Sequence, residues 1–380
     1  IIGVSENTDG TPGEICGVDK LVGNQKIDEW ISNVLVTSVE PKVTCQMRVF
    51  DLTEDKVIVI LSVLESPRKP HMDEHKHSYF VRHSRSSDPA THSEVRDMFE
   101  FSKRNTNEFE AFLSSRNLLD DRSEAFGEND NSARLHNGSM PEGQAATPFV
   151  LFSFIPRYLD GNRVNPISKE SKQWLENNAK GYAPEPRLPL FLPHSRRVNL
   201  HGVVFTAGGY GRNHHTEDKY RSYCEVLNNG FFEHGISNEI LRCWQNALIF
   251  NLSGSVAYIW SLLNFAAKFY GFMNYYDEVV FQISAINVKS AVLGQFGKKN
   301  ANEGRPEPFD AFYPDPPRCE HDRFKIETRL VIQELSDDTI AAEVRNAAEQ
   351  ISRAFGVPDI RCFQDDGTLN LQGLSWFENR

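Results

Sequence analysis

Residues 57–61, Val-Ile-Val-Ile-Leu, constrain the fold of this chain more than any other stretch. The run has no polar alternation and is mostly β-branched, which is typical of a strand that is covered on both of its faces. Two prolines follow it and interrupt regular strand pairing, so we expect an extended loop there. Residues 79–82 then resume strand character and lead into His83 and Arg85. The stretch therefore predicts a central strand, a proline loop and a second strand that ends in cations.

The chain has 380 residues, which is large for one hydrophobic core, so we expect two domains. Residues 118–147 are rich in Asp, Asn, Ser, Gly and Glu with little to bury, which predicts a linker or a mobile loop. The N-terminal module then covers residues 1–117 and the C-terminal module residues 148–380. We expect an α+β fold whose larger, β-rich C-terminal module surrounds a buried central helix beginning near Ser253.

The charge and composition of the chain limit the kinds of function that it can have. The formal net charge is -11, so any nucleic-acid binding must come from a local basic patch. The six cysteines show no CxxC pair and no regular spacing, which argues against a disulfide framework and a zinc knuckle and favours the reducing cytoplasm. The longest apolar stretch contains Ser261, Asn264 and Lys268, which is too polar for a membrane span. We therefore expect a cytoplasmic protein without a membrane partner.

Several N-terminal motifs occur in a characteristic order. They are the strand IIGV with the acidic hairpin segments SENTDG and GEICGVD, the helix IDEWISNVL, the strand VIVILSV with its proline loop, and SYFVRHS followed by SSDPATHSEV. In this order they resemble the Schlafen AlbA-like domain, over about the first hundred residues. The most specific match is Tyr79, then Arg82 three residues later, then a serine-containing turn before a helix.

The resemblance implies an AlbA-like N-terminal module and a nucleic-acid-binding protein of a bacterial regulatory or defence type. The family's opening glutamate-containing helix would lie upstream of Ile1, so we expect the N-terminal part of the domain to be missing from the printed sequence. In nucleolytic Schlafens an acidic triad uses that helix and an acid near the first hairpin. Of this triad, the resemblance assigns only the acid near the hairpin to a residue of this chain, which is Glu6.

Our leading hypothesis is that the N-terminal module binds a DNA or RNA backbone through Tyr79, Arg82, His83 and Arg85. Arginine presents planar, bidentate donors that stay charged, which suits phosphate oxygens. A second candidate patch contains Arg196, Arg197 and Arg212, which are interleaved with aromatic residues. Proteins that bind single-stranded nucleic acid typically use cations to contact the phosphate backbone and aromatic rings to stack on the unpaired bases. The alternative for each patch is an ordinary solvated or ion-paired surface.

Two other functions stay open. Glu6 and Asp9 could hold Mg²⁺ or Mn²⁺ and activate water, which would make the protein a metal-dependent endonuclease acting on RNA. The protein could instead be an assembly subunit that acts as a homo-oligomer or with a partner protein. We assign no metal ligands to the histidine-rich segment HMDEHKH, because such a segment in a proline loop is more often a mobile polar loop. The glycines of residues 208–211 lack the spacing of a nucleotide-binding loop.

Overall fold

The computed structural model describes residues 1–8, 11–43, 45–63, 66, 68–82, 87–116, 148–159, 162–178, 195–207, 222–236, 240–244, 247–296, 308–309 and 318–357. The chain divides into two compact units, Ile1–Ala111 and Phe112–Arg380, which we name unit 1 and unit 2. The predicted linker at residues 118–147 lies outside the described residues. Helices and several sheets are both present, so the expected α+β class is confirmed.

Unit 1 contains short strands, one complete helix and most of a second. The strands are β1 (Val4–Glu6), β2 (Pro12–Ile15), β3 (Val18–Asp19), β4 (Leu21–Val22), β5 (Gln25–Lys26), β6 (Val39–Glu40), β7 (Cys45–Asp51), β8 (Lys56–Val63), β9 (Met72–Asp73), β10 (Ser78–Arg82) and β11 (Ser87–Pro89). The helices are α1 (Ile27–Ser38) and α2 (His92–Ser115), which begins in unit 1 and ends in unit 2. The sheets have the strand orders β1-β2, β3-β8-β7, β4-β5 and β11-β10-β9-β6.

Strand β8 carries the apolar run and lies between β3 and β7, so its central position in the sheet is confirmed. Its residues Val57 and Val59 are fully buried and pack against Ile27 and Ile31 of α1. Ile60 points to the opposite face and is 36% exposed. The expectation that both faces are covered is therefore wrong for the described residues, because α1 covers only the face that carries Val57 and Val59.

Unit 2 is larger and rich in strands. The strands are β12 (Phe149–Pro156), β13 (Ser195–Asn199), β14 (Gly202–Ala207), β15 (Ser222–Leu227), β16 (Phe232–Ile236), β17 (Leu241–Trp244), β18 (Ala247–Asn251), β19 (Glu278–Ile286), β20 (Val292–Phe296), β21 (Pro308–Phe309) and β22 (Arg323–Val331). Its described helices are α3 (Lys169–Asn178), α4 (Leu252–Phe272) and α5 (Asp337–Ala354), and a 3₁₀ turn covers Ile332–Glu334.

An antiparallel sheet of seven strands, in the order β13-β14-β15-β16-β12-β19-β22, dominates unit 2. On one face the ring of Phe154 stacks against Phe281 of the neighbouring strand with centroids 4.5 Å apart. Helix α4 lies on this face, where Phe265 contacts Phe232 at a centroid distance of 5.1 Å. Aromatic pairs of this kind add to the stabilisation that burial of apolar area already gives.

Helix α4 is the predicted buried central helix. Most of its residues are buried, and its amino terminus is capped by the side chain of Asn251, which accepts a hydrogen bond from the Gly254 N–H. A smaller sheet with the order β17-β18-β20-β21 accompanies it, and β18 leads directly into the helix. Among the described residues, no helix combines the length and apolar character needed to cross a bilayer.

Candidate functional site

The strand that carries the predicted arginine forms a hairpin in unit 1. Strand β10 pairs with β11 in antiparallel register, and Arg82 lies opposite Ser87. Arg82 is exposed at the last position of β10. His83 and Arg85, the other cations predicted here, lie outside the described residues. The structure thus places Arg82 at a solvent-facing strand end, as the sequence predicts.

Successive side chains of β10 point to opposite faces of the sheet. Tyr79 packs edge-on against Phe99 of α2, with ring centroids 6.0 Å apart, so it faces the helix. Phe80 faces the other way and is 36% exposed, and Arg82 shares this face because it lies two residues further along. Tyr79 therefore anchors α2 in this structure, and Phe80, which is not among the residues predicted from the sequence, presents its ring to solvent.

A lysine lies beside the exposed ring. The Lys76 amine is 5.1 Å from the centroid of Phe80, within cation–π range. The loop that carries Lys76 is held by Asp73, whose carboxylate accepts the backbone N–H groups of His75 and Lys76 at 2.9 and 3.1 Å. Lys76, Phe80 and Arg82 together form what we name the Phe80 surface.

The cations of the Phe80 surface are not neutralised by ion pairs to described carboxylates. Between described residues of unit 1, ion pairs join Lys20 to Asp51 and Arg96 to its helix neighbours Asp97 and Glu100. Acidic residues nevertheless outnumber basic ones in unit 1 as they do in the whole chain. Any attraction of a polyanion must therefore arise close to the cations themselves.

A second cation–aromatic group lies elsewhere in unit 1. The Lys69 amine is 4.3 Å from the centroid of Phe101, and the Arg104 guanidinium carbon is 5.4 Å from the same centroid. Phe101 is half-buried and belongs to α2. Its ring is already covered by these two side chains, so it offers less free area for stacking than Phe80 does.

The predicted acidic pair is only partly visible. Glu6 is exposed at the end of β1, opposite Pro12 of β2, and Asp9 lies outside the described residues. Among the residues that the structure describes, no group of three or more His, Cys, Asp and Glu side chains is arranged to hold a metal ion. A catalytic role of Glu6 and Asp9 with Mg²⁺ or Mn²⁺ stays a prediction.

The side chains of the second predicted basic patch lie outside the part of the chain that the structure describes. Arg196 and Arg197 belong to the edge strand β13, where their backbones pair with Phe205 and Val204 of β14. Their side chains, and the whole of Arg212, lie outside the described residues. Their proposed contact with nucleic acid stays a prediction.

Unit 2 contains a buried polar cluster that no sequence pattern predicts. Glu225 of β15 and Glu233 of β16 are directly opposed, and Glu233 is fully buried. Ser153 and Tyr223 each donate a hydrogen bond of 2.6 Å to the Glu233 carboxylate. Arg116 donates to Glu225 and lies 3.8 Å from Glu233. We name these five residues the carboxylate cluster.

Burial and charge act in opposite directions on this cluster. Burial raises the pKa of Glu225, and the nearby guanidinium of Arg116 only partly counteracts it. Burial by itself lowers the pKa of Arg116, but Glu233 and Glu225 outweigh it and raise the pKa overall, so the arginine stays charged. Every described member is bound to another member, which is the arrangement of a structural ion network rather than of a reactive group open to substrate.

No sequence signal could have identified the carboxylate cluster. Arg116 and Glu225 are 109 residues apart, and Glu225 lies opposite Glu233 only because β15 and β16 pair. Phe80 was detectable in principle, because strand alternation places it with Arg82 once Tyr79 is assigned to the face of the helix.

No family model, curated protein or solved structure matches the chain. The resemblance of the N-terminal motifs to the Schlafen AlbA-like domain therefore stays an expectation.

Proposed function

We propose that unit 1 binds single-stranded regions of DNA or RNA through the Phe80 surface. The observation that carries the proposal is the exposed ring of Phe80, which has the Lys76 amine beside it and Arg82 on the same face of the sheet. The resemblance to the Schlafen AlbA-like domain points to the same class of ligand.

The chemistry of the three side chains fits an unpaired strand. An exposed aromatic ring can stack on any base, and such stacking contributes about 1–3 kcal/mol per base. Lysine and arginine side chains bind the phosphates on either side of the stacked base. Bases in a regular duplex are already stacked on each other, so a protruding ring has access to them only in single strands, loops and ends.

The charge of the protein sets the conditions under which binding can be seen. Two described cations form the surface in a chain whose net charge is -11. Few phosphates are neutralised, and the long-range field repels the ligand. We therefore expect modest affinity that is strongest at low ionic strength, where counterion release favours binding most.

A titration of labelled single-stranded DNA and RNA oligonucleotides, followed by fluorescence anisotropy, tests the proposal. It should be run at about 50 mM and about 200 mM salt. The wild-type chain should bind at the lower salt concentration, and the double variant Phe80→Ala with Arg82→Ala should bind at least about tenfold more weakly.

The matched control is Arg48→Ala. Arg48 is an exposed arginine of unit 1 on strand β7, which belongs to a different sheet, so its removal changes the net charge without touching the Phe80 surface. Its affinity should stay close to that of the wild type. Absence of binding at low salt, or an equal loss in the control and in the double variant, would overturn the proposal.

A further inference from the structure

Strand β7 forms one edge of the sheet β3-β8-β7. It pairs with β8 along its whole length, from Cys45 opposite Val63 to Asp51 opposite Val57. Among the described residues, no strand pairs with its outer side. An edge strand, here seven residues long, can template the addition of another strand wherever its outward backbone groups are unpaired.

The hydrogen bonds identify which backbone groups face outward. The Leu52 N–H donates to the Lys56 carbonyl at 2.8 Å, which makes this pair a hydrogen-bonded one. Such pairs alternate along an antiparallel ladder, so Phe50 and Arg48 also direct their backbone groups towards β8. The residues between them, Met47 and Val49, direct their N–H and C=O groups to the free edge.

The bonds on the other side of β8 agree with this alternation. Val59 lies opposite Val49, and its N–H and C=O groups bond to Ile2 at 3.0 and 2.8 Å, away from β7. The backbone of Val49 therefore has no partner in β8. Its hydrogen-bonding capacity is available at the edge.

A groove of about 740 Å³ runs along this edge, between β7 and α1. Its apolar floor is formed by Met47 and Val49, and its wall by one face of α1 with Asp28, Glu29, Ser32 and Asn33. Neither Asp28 nor Glu29 forms an ion pair with a described residue. The groove thus combines outward backbone groups, a small apolar floor and an acidic wall.

We propose that this groove binds an extended, basic segment of a partner protein, which adds to β7 as a further strand. Backbone hydrogen bonds to Met47 and Val49 would fix the segment in place. Its residues opposite these two point into the groove, because directly paired residues share a face of the sheet. Lysine and arginine fit there, since their methylene stems lie over the apolar floor and their charges reach Asp28 and Glu29.

A second copy of this chain is a poorer occupant. On the groove face, β7 carries Cys45, Met47, Val49 and Asp51, and none of these is a cation. Pairing of β7 with its counterpart in another copy would therefore place no cation of the strand beside the acidic wall of α1. Charge complementarity therefore favours a different, basic partner.

The test uses the full chain and a fluorescein-labelled peptide of about nine residues with alternating lysine and valine. Binding is measured by anisotropy, and backbone amide signals of Met47 and Val49 are followed by NMR. We expect the peptide to bind and to shift both amide signals. A peptide of the same sequence that is N-methylated at alternate residues should bind at least about tenfold more weakly, because one of its edges can no longer donate hydrogen bonds.

Two pairs of variants separate backbone pairing from charge. Val49→Pro removes an outward N–H without breaking the ladder to β8, and should abolish binding, whereas Val49→Thr retains the N–H and should bind normally. Asp28→Asn with Glu29→Gln should weaken binding about tenfold, whereas the equal charge change Glu14→Gln with Glu54→Gln, on other exposed acids, should not. Thermal unfolding of each variant confirms that it is folded.

Three results would overturn the proposal. The first is equal binding of the normal and the N-methylated peptide. The second is binding that survives Val49→Pro. The third is self-association of the chain, seen by light scattering, that Val49→Pro abolishes, since a second copy would then be the occupant. The Phe80 surface lies on a different sheet from β7, so the result of the nucleic-acid titration does not decide whether the groove binds a peptide.

Discussion

Glu225 and Glu233 lie directly opposite each other on neighbouring antiparallel strands, and a single guanidinium, that of Arg116, is shared between them. Like charges opposed in this way are destabilising unless a cation neutralises them. Arg116 follows the last turn of α2 and also lies over the ring of Phe231, with its guanidinium carbon 5.0 Å from the ring centroid. The cluster therefore fixes the end of α2 onto the sheet of unit 2.

Removal of that cation should strongly destabilise unit 2. Arg116→Ala leaves two buried carboxylates without a counter-charge, and we expect a loss of about 3–5 kcal/mol in the free energy of unfolding, measured by urea titration. Arg353→Ala is the control, because Arg353 forms only an exposed pair with Glu349 and should cost less than about 0.5 kcal/mol. The triple variant Arg116→Met, Glu225→Gln, Glu233→Gln should recover part of the loss. A cost for Arg116→Ala as small as that of the control would contradict the assigned role.

The raised pKa of Glu225 gives its stability contribution a definite sign. A carboxyl whose pKa is higher in the folded than in the unfolded protein binds more protons when folded. Its contribution is complete below the unfolded pKa of about 4.3 and is lost as the pH rises through the folded pKa. Glu225→Gln should therefore remove a component of stability that declines with rising pH above about 4.3. The check is the urea midpoint of both proteins over a pH series, and parallel curves would contradict the expectation.

His234 should produce the opposite slope. It is buried in the apolar core of unit 2, where its ring stacks on Tyr258 with centroids 5.6 Å apart. Burial lowers the pKa of His234 from 6.5 to about 4. The unfolded chain then binds the extra proton between these values, so stability falls as the pH drops from 6.5 to about 4, by up to about 3 kcal/mol. His234→Leu should flatten the dependence of the free energy of unfolding on pH in this range. If the slope persisted in the variant, groups other than His234 would cause it.

The local parts of this fold were accessible from the sequence. The segment EVVFQISAI at residues 278–286 is mostly apolar and predicts a strand, and it coincides with β19. By residue type, Thr91 and Ser93 are both candidate caps for α2, and Thr91 does exchange hydrogen bonds with Glu94. These features depend on neighbours within a few residues.

Features that depend on contacts between residues far apart in the sequence could not be predicted. Asn24 is a plausible cap for α1 by its residue type, but the helix begins at Ile27 after Lys26, because β5 first pairs with β4 and uses the residues in between. Ser253, near which the sequence places the start of α4, is also a plausible cap, but Asn251 at the end of β18 caps the helix instead. At the candidate site, strand alternation groups Phe80 with Arg82, but which face of β10 meets solvent depends on the packing of Tyr79 against Phe99, which no local pattern encodes.

Gly235 leaves room for a ring of the carboxylate cluster. It lies opposite Tyr223, and a methyl group at this position would overlap the tyrosine ring. Gly235→Ala should displace that ring, break the hydrogen bond from Tyr223 to Glu233 and cost about 1–3 kcal/mol in urea unfolding. Tyr223→Phe removes the same bond by itself. The double variant Gly235→Ala with Tyr223→Phe should lose less free energy of unfolding than the sum of the two single losses, because both changes remove the same hydrogen bond. A loss equal to that sum would contradict the mechanism.

The two roles assigned to the Phe80 surface can be separated by their response to salt. Arg82→Ala removes a phosphate contact, so it should weaken nucleic-acid binding and reduce the slope of log K against log salt concentration by about 1. Phe80→Ala removes a stacking platform without changing the charge, and should weaken binding by about 1–3 kcal/mol while the slope stays the same. The measurement is an anisotropy titration of a labelled single strand at several salt concentrations, with Arg48→Ala as the control for charge. If Phe80→Ala changed the slope and Arg82→Ala did not, the ring and the cation would have other roles than those assigned, because only a charged contact releases counterions.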